Sequence, residues 1–491
     1  MPGNGRLVGN KRAVQACRGG VSMAALAAAL SLPFATPAGA ETLRQALTAA
    51  YQTNPKLDAE RAKLRANDED VSRAEAGYRP LVEGSAEVGR QKTSSKPTSS
   101  NAGTSEPWGY SISLRQNVFN GFQTSSSVAE ASASVKAGRE NLRLVEANVL
   151  LEGVGAYMDV VRDMGIVKIR ESNVDVLSRE LEAAETRREV KEVTKTDVAQ
   201  ARARRARAVS DADLAKANLK VSRANYERVI GHPAAGVGTP PLKLKQIPHS
   251  IEDAWRTAEQ LSPNVNSALF REEEARFAVD KVRGELLPEI NVEANYGHRE
   301  NPSTAFDEQD AASVTGRFTV SLYDGGEIRA RVRQAKHTQI ARLQEIEQAR
   351  TETQANVTSA WSRLMAARAQ LKSDTIQVEA NGTALEGVRE EEKVGQRTLL
   401  DVLNAEQEYQ DAQIQLATTR RDLVVAGYQL LASIGTLDAE TLELGSDVYD
   451  PEAHFEEARQ NWFGISITDA SGRRQAFDVI DPENAPDDIV E

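Results

Sequence analysis

The sequence predicts a mostly α-helical chain with a membrane β-barrel. It reads as a duplicated unit of long antiparallel coiled-coil helices plus two strands per repeat, with a trimer sharing one 12-stranded barrel. Three observations predict this. The chain repeats itself at a nearly constant offset, proline is absent from two long tracts, and four segments alternate apolar with polar residues.

The repeat comes first because it sets the domain plan. Leu43…Asn54-Pro55…Pro80…Gly89 recurs as Ile251…Ser262-Pro263…Pro288…Gly297, 208 residues on. After the next loop the offset becomes 204: Phe119-Asn120-Gly121 matches Tyr323-Asp324-Gly325, Ala156-Tyr157 matches Ala360-Trp361, and Gly231 matches Gly435. Val190, Thr194, Asp197, Val198 and Ala201 likewise match Val394, Thr398, Asp401, Val402 and Ala405. The first repeat is placed at 41–235, a linker at 236–249, the second repeat at 250–436 and an acidic, partly disordered tail at 437–491.

Each repeat opens with a helix and closes with a very long helix, a turn and another helix. Proline, which costs about 3 kcal/mol inside a helix, is absent from 108 to 232 and from 303 to 450. Long helices are therefore expected at 122–190 and 196–230, and again at 326–394 and 398–434. Val402, Tyr409, Leu416, Leu423 and Leu430 are spaced by seven, with Ala405, Ala412, Thr419, Ala426 and Ser433 three residues after each. This is a heptad seam with small residues at every second core position, which lets helices approach closely. Leu343, Val357, Leu364, Leu371, Val378 and Leu385 keep the period on the preceding helix, interrupted by Arg350. Val198, Ala212, Leu219 and Tyr226 keep it less cleanly in the first half.

Strands are expected at about 81–91, 109–120, 288–298 and 313–323. Tyr110, Ile112, Leu114 and Val118 alternate with Ser111, Ser113, Arg115 and Asn117, and Ile290, Val292, Ala294 and Tyr296 alternate with Glu289, Asn291, Glu293 and Asn295. About ten alternating residues cross a bilayer at a tilt, one face to lipid and one to the lumen. Four strands cannot close a barrel, and an open edge is not viable in lipid, so several chains must share one. Residues 91–107 and 299–312 are polar and read as exposed loops.

The first 40 residues read as a secretory signal: basic Arg6, Lys11, Arg12 and Arg18, an apolar run from Val21 to Phe34, and a small-residue site at Ala38-Gly39-Ala40. The single cysteine, Cys17, precedes that run, so neither a lipid anchor nor a disulfide is expected. Beyond residue 40 there are 56 basic and 72 acidic residues, a net of −16 that speaks against nucleic acid as a partner. From 446 onward 12 acidic residues face 3 basic ones, which suits an irregular tail. The five histidines show no ligand spacing, and no HExxH, P-loop or nucleophile elbow is present. No enzyme activity, cofactor or metal is expected.

From about Glu41 to Leu444 the chain resembles the TolC family of outer-membrane efflux and type I secretion channel proteins. The resemblance rests on the two corners Phe119-Asn120-Gly121 and Tyr323-Asp324-Gly325, the paired hairpin tips, and Gly435-Thr436-Leu437 at a helix end. It implies a homotrimeric exit duct in the Gram-negative outer membrane, its β-barrel continuing into a periplasmic α-barrel. Implied partners are a periplasmic adaptor (membrane fusion) protein, an inner-membrane ABC or proton-driven transporter, and outer-membrane lipid. The cargo would be proteins, small toxic compounds or both. An exported coiled-coil structural protein or adhesin without channel activity is the alternative.

Carried onto this sequence, the family's periplasmic gate falls at Asp401, Arg397 and Asp197. Asn404 stands where a second acidic ring would be, and Glu392 where an aromatic hydroxyl is expected. Asp197 and Asp401 also fit simple helix capping. Thr194, Lys195, Thr398 and Leu399 are the expected adaptor contacts. Glu83, Glu87, Arg115, Glu289, Glu293 and Arg317 are expected in the barrel lumen. Trp108, Tyr110, Tyr296 and Phe318 are expected as interfacial aromatics. The Arg202, Arg204, Arg205 and Arg207 cluster reads as a solvated helix face.

Overall fold

A computed structural model describes residues 41–94, 102–234, 236–240, 247–445, 448–460, 464–465, 467–468 and 474–475. The expected signal segment lies outside the described residues. The first half runs α1 (Leu43–Thr53), α2 (Pro55–Glu75), β1 (Leu81–Val88), the short β2 (Gln91–Thr93) and β3 (Gly103–Ser105), β4 (Trp108–Asn120), α3 (Gln123–Glu189) and α4 (Lys195–Ile230). The second runs α5 (Ile251–Leu261), α6 (Pro263–Gly284), β5 (Glu289–Ser303), β6 (Phe306–Thr319), α7 (Glu327–Lys393) and α8 (Leu399–Ile434). After it come α9 (Pro451–Gln460) and the two-residue strands β7 (Ile467–Thr468) and β8 (Arg474–Gln475).

Helices α3 and α7 are both 67 residues, and α4 and α8 are both 36. At 1.5 Å per residue the longer pair spans about 100 Å. The leading helix of each half is broken in two, where one was expected. Asn54 and Ser262 precede a proline, which pushes them to extended backbone and then starts the next helix at its first position. Gly231 and Gly435 close α4 and α8 at φ +96° and +80°. A Cβ there would lie 2.4 Å from Thr53 Oγ1 and 2.3 Å from the Leu261 carbonyl oxygen, so equivalent residues crowd both glycines, by a side chain in the first half and by backbone in the second.

The four long strands form one antiparallel sheet in the order β1-β4-β5-β6, which leaves β1 and β6 as edges. Polar residues share one face: Glu83 pairs with Ser113, Ser113 with Asn295, and Asn295 with Ser313. Apolar residues share the other: Val82 pairs with Leu114, Leu114 with Ala294, and Ala294 with Val314. A bulge between Asn117 and Phe119 brings Phe119 opposite Ile290 on the apolar face.

Two expectations are corrected here. Residues 299–312 are not a loop. β5 and β6 extend through them as a hairpin closed at Ser303 and Phe306, and Arg299 pairs with Gln309 and Glu300 with Glu308. Polar residues suit a strand that stands clear of lipid as well as they suit a loop. At its other end β6 stops at Thr319, opposite the first residue of β5, so 320–323 have no strand partner within the chain.

The tail is the third correction. Leu437, Ala439 and Leu444 are buried, and α9 packs on α2. Nδ1 of His454 lies 2.9 Å from Oδ2 of the buried Asp68, Arg459 donates to Glu75 at 3.0 Å, and Arg139 pairs with Glu452 while lying over the Phe455 ring. Apolar side chains and paired charges within an acidic stretch are enough to hold a helix there.

The core sits where the short helices cross the long ones. Leu47, Leu57, Leu64, Leu150, Tyr157, Tyr226, Ile230, Leu364, Leu430 and Ile434 are fully buried. The Tyr226 hydroxyl donates to Glu41 at 2.7 Å, and the backbone of Glu41 pairs with Gly236 and Gly238, so part of the expected linker is pinned by the start of the first repeat. Along the seams Val357, Leu364, Leu385, Leu416 and Leu423 are buried, whereas Leu343 is 44% exposed in a single chain.

Burial pushes the Glu146 carboxyl up to about 7, although the Ala439 N–H that donates to it at 2.6 Å pulls the other way. The folded chain therefore holds this proton more tightly than the unfolded one, and stability falls as pH rises from about 4.5 to about 7. The loss is of order 3 kcal/mol. Glu146→Gln keeps an acceptor for Ala439 without a titrating group. Thermal melting midpoints of this variant should lose that part of the pH slope; a slope identical to wild type would contradict the assignment.

Candidate functional site: helical tips and barrel lumen

The α3–α4 and α7–α8 turns are built alike. The N–H groups of Lys191 and Glu192 donate to the carbonyls of Arg188 and Arg187, and those of Gly395 and Gln396 to Glu392 and Glu391, at 2.9–3.0 Å. Lys191 and Gly395 both take positive φ, 67° and 78°. Thr194 and Thr398 then cap the returning helices. Each hydroxyl accepts from the backbone of the residue three on, and Asp197 and Asp401 reach back to the threonine N–H at 2.8 and 3.0 Å. Those backbone bonds, followed by the threonine hydroxyls, hold both carboxyls below the usual aspartate range.

Asp401 and Asp197 thus act as caps within one chain. Arg397 does not bond to Asp401; it donates to Glu391 at 2.8 Å, which pushes its own pKa up. Glu392 receives Arg187 from the other hairpin, and Asn404 accepts from Arg204 at 2.9 Å. Arg204 also donates to Gln407, and Arg389 to the buried Glu406 at 2.8 Å. Glu392 thus helps tie α3 to α7, and Asn404 together with Gln407 ties α4 to α8. Arg187 carries no local signal in the sequence, and Arg204 reads there only as one of a solvated cluster. Of the arginine cluster, Arg202, Arg205 and Arg207 are exposed on a solvated face, where Arg202 pairs with Glu185 and Arg205 donates to Ser178.

Thr194, Lys195 and Thr398 are exposed at the tips. Leu399 turns inward instead, against Leu177, Ala208 and Leu403. The most exposed apolar residues of the tips are Val190 and Val394, at 66% and 70%, with Leu400 beside them.

In the sheet, the polar face carries the six expected charges, several of them paired. Glu293 lies between Arg115 at 3.7 Å and Arg317 at 3.2 Å, and Asn291 donates to Glu289 at 2.8 Å. Glu87 accepts from Arg299 at 2.8 Å, a partner hidden by reading 299 as loop. Glu83 shares this face through its pairing with Ser113. On the apolar face Trp108, Tyr110 and Tyr296 cluster toward the β5–β6 turn, with Tyr110 and Tyr296 centroids 6.4 Å apart. Phe318, opposite Ile290, lies toward the helices. The aromatics thus bracket the apolar band at both ends, as bilayer interfaces favour.

A bilayer-length sheet with one apolar and one charged face, continued by helices of 67 residues, defines an outer-membrane channel that extends far out of the bilayer. Residues 46–232 and 255–436 match the family described as outer membrane efflux protein, and the chain belongs to that family. It is 36% identical to the outer membrane efflux protein BepC of Brucella suis biovar 1 over 87% of this chain and 93% of that one. It is 24% identical to the outer membrane protein TolC of Vibrio cholerae over 86% and 95%. Its fold matches the Campylobacter jejuni CmeC outer membrane channel with a TM-score of 0.73 at 16% identity, covering 85% of this chain and 89% of that one. The protein is thus a channel of the Gram-negative outer membrane, and the adhesin alternative falls away.

Removing the cap should be a local event. Thr398→Ala should cost about 1 kcal/mol. Amide exchange in the first turn of α8 should quicken roughly fivefold while the global melt stays put, and unchanged exchange there would show that the cap carries no weight.

Proposed function

We propose that three copies of this chain form the duct, that its tips close and open the periplasmic end, and that the tips receive an adaptor which couples the duct to an inner-membrane transporter. The observation that carries the trimer is an asymmetry between equivalent positions. At the first corner Gly121 presses on Gly284, its absent Cβ only 2.2 Å from that carbonyl oxygen, while Gly325 at the second corner has nothing within 4 Å. Phe119 is half-buried, and its equivalent Tyr323 is 83% exposed. The first half is covered by the second, and the second is left bare at the same places, so a further copy supplies its cover. Two copies would give eight strands, whose interior is filled by side chains. Three give twelve, the smallest number of copies that leaves a bore.

With three copies, Asp401 recurs around one axis, and a ring of like charges favours cations. The links Arg187–Glu392 and Arg204–Asn404 hold the hairpins of one chain together, so opening moves them as pairs. The exposed Val190 and Val394, beside Thr194, Lys195 and Thr398, supply the apolar patch an adaptor would cover. Similarity to proteins named for efflux and to TolC supports export of small toxic compounds, proteins or both, driven by an ABC or proton-coupled transporter.

Single-channel recording in planar bilayers tests this reading. Asp401→Asn retains an acceptor for the Thr398 cap and removes the charge. Wild type should give small cation-selective events, and the variant should lose most of that selectivity. Selectivity unmoved by the variant would place the constriction elsewhere, and a folded protein that never conducts would overturn the duct.

A further inference from the structure

Outside the duct machinery, one cluster stands on the apolar face of the sheet where that face turns polar. Successive rungs read Leu114–Ala294–Val314, Ile112–Tyr296–Ala312, Tyr110–His298–Asp310 and Trp108–Glu300–Glu308. All four point to the same side, because alternate rungs of a sheet share a face. The change from apolar through aromatic to charged marks the outer edge of the lipid band. The last two rungs put one imidazole and three carboxylates together at that edge.

We propose that His298, Asp310 and Glu308 form a binding site for a divalent cation of the zinc class on the outward rim of the barrel. One ligand atom from each lies within 4.8 Å of the other two. Nδ1 of His298 is 2.8 Å from Oδ1 of Asp310 and 3.9 Å from Oε1 of Glu308. In a tetrahedral site with bonds of about 2.0–2.2 Å, neighbouring ligand atoms stand roughly 3.3 Å apart, between those two distances. The imidazole is held for the task. Its side chain is 15% exposed, with the Trp108 ring at 6.0 Å and the Tyr110 ring at 5.4 Å. Its other nitrogen, Nε2, faces Glu300 at 4.0 Å, and Glu300 in turn accepts from Trp108 Nε1 at 3.1 Å. At 4.0 Å this is a charge contact rather than a hydrogen bond, but it sets a carboxylate on the side of the ring from which metal-binding histidines are oriented.

Charge argues the same way. Three carboxylates around one imidazole leave a net negative charge even when the ring is protonated, and a simple ion pair needs only one of them. A divalent cation offsets the surplus. A nitrogen donor beside two oxygens selects zinc-class ions over calcium or magnesium, which favour all-oxygen cages. Three protein ligands leave a fourth position open to water or to a phosphate oxygen at headgroup level. A bound ion would cross-link the two strands of the hairpin at its exposed end.

The test is calorimetric titration of zinc into the chelator-treated, detergent-purified protein. One saturable zinc per chain is expected. His298→Ala and Asp310→Asn should each abolish it, Glu300→Gln should weaken it about tenfold, and His454→Ala, which removes the histidine beside α2, should leave it unchanged. Single-channel conductance of His298→Ala should match wild type, which keeps this inference separate from the duct. Absence of saturable zinc binding, or binding unaffected by both His298→Ala and Asp310→Asn, would overturn it.

Discussion

Everything in this molecule follows from two sheet edges that one chain cannot pair. β1 and β6 each expose a row of backbone donors and acceptors, and each such group left unpaired in hydrocarbon costs several kcal/mol. Among the described residues no further strand pairs with them. In the proposed assembly the edges meet the edges of other copies, and the helices below stand around the same axis as the strands above. The bare corner at Tyr323-Asp324-Gly325 makes the same demand from the helical side.

Duplication makes that assembly economical. Each half delivers two strands and a 67-residue helix backed by a 36-residue helix, so three chains offer six nearly equivalent units. The halves have diverged where they differ in role. Lys191 takes the positive φ that Gly395 takes in the second half, and Leu399 packs inward at the position where Lys195 is exposed. Tyr157 and Tyr226 tie Glu41 and Gly238 into the first half, while a core shared by Leu150, Leu364 and Leu430 joins the two halves of one chain.

Much of the fold is legible in the sequence because its signals are periodic and long. Proline-free tracts, heptads from Val402 to Leu430, and alternation from Tyr110 to Arg115 each repeat often enough to outweigh single exceptions such as Gln116. What escapes is decided by single contacts. Residues 299–312 look like loop by composition, and only pairing across the hairpin, His298 with Asp310 and Glu300 with Glu308, makes them strand. The acidic tail conceals α9 because its few apolar and basic residues matter only once α2 and α3 are in place. The tip residues are readable as types, but not their partners. Arg187 lies 205 positions from Glu392 and Arg204 lies 200 from Asn404, and no local pattern joins them.

The central claim is that β1 of one copy pairs with β6 of the next until three have closed the ring. Cys17 is the only cysteine in the sequence, so in a Cys17→Ala background introduced thiols report cleanly. Ser85→Cys on β1 can be combined in turn with Ala311→Cys, Ser313→Cys or Thr315→Cys on the same face of β6, oxidised in membranes, and run on a denaturing gel. In at least one register the ladder of covalent species should end at three chains. A ladder that ends at another number, or no crosslinks in any register from correctly folded protein, would contradict the account.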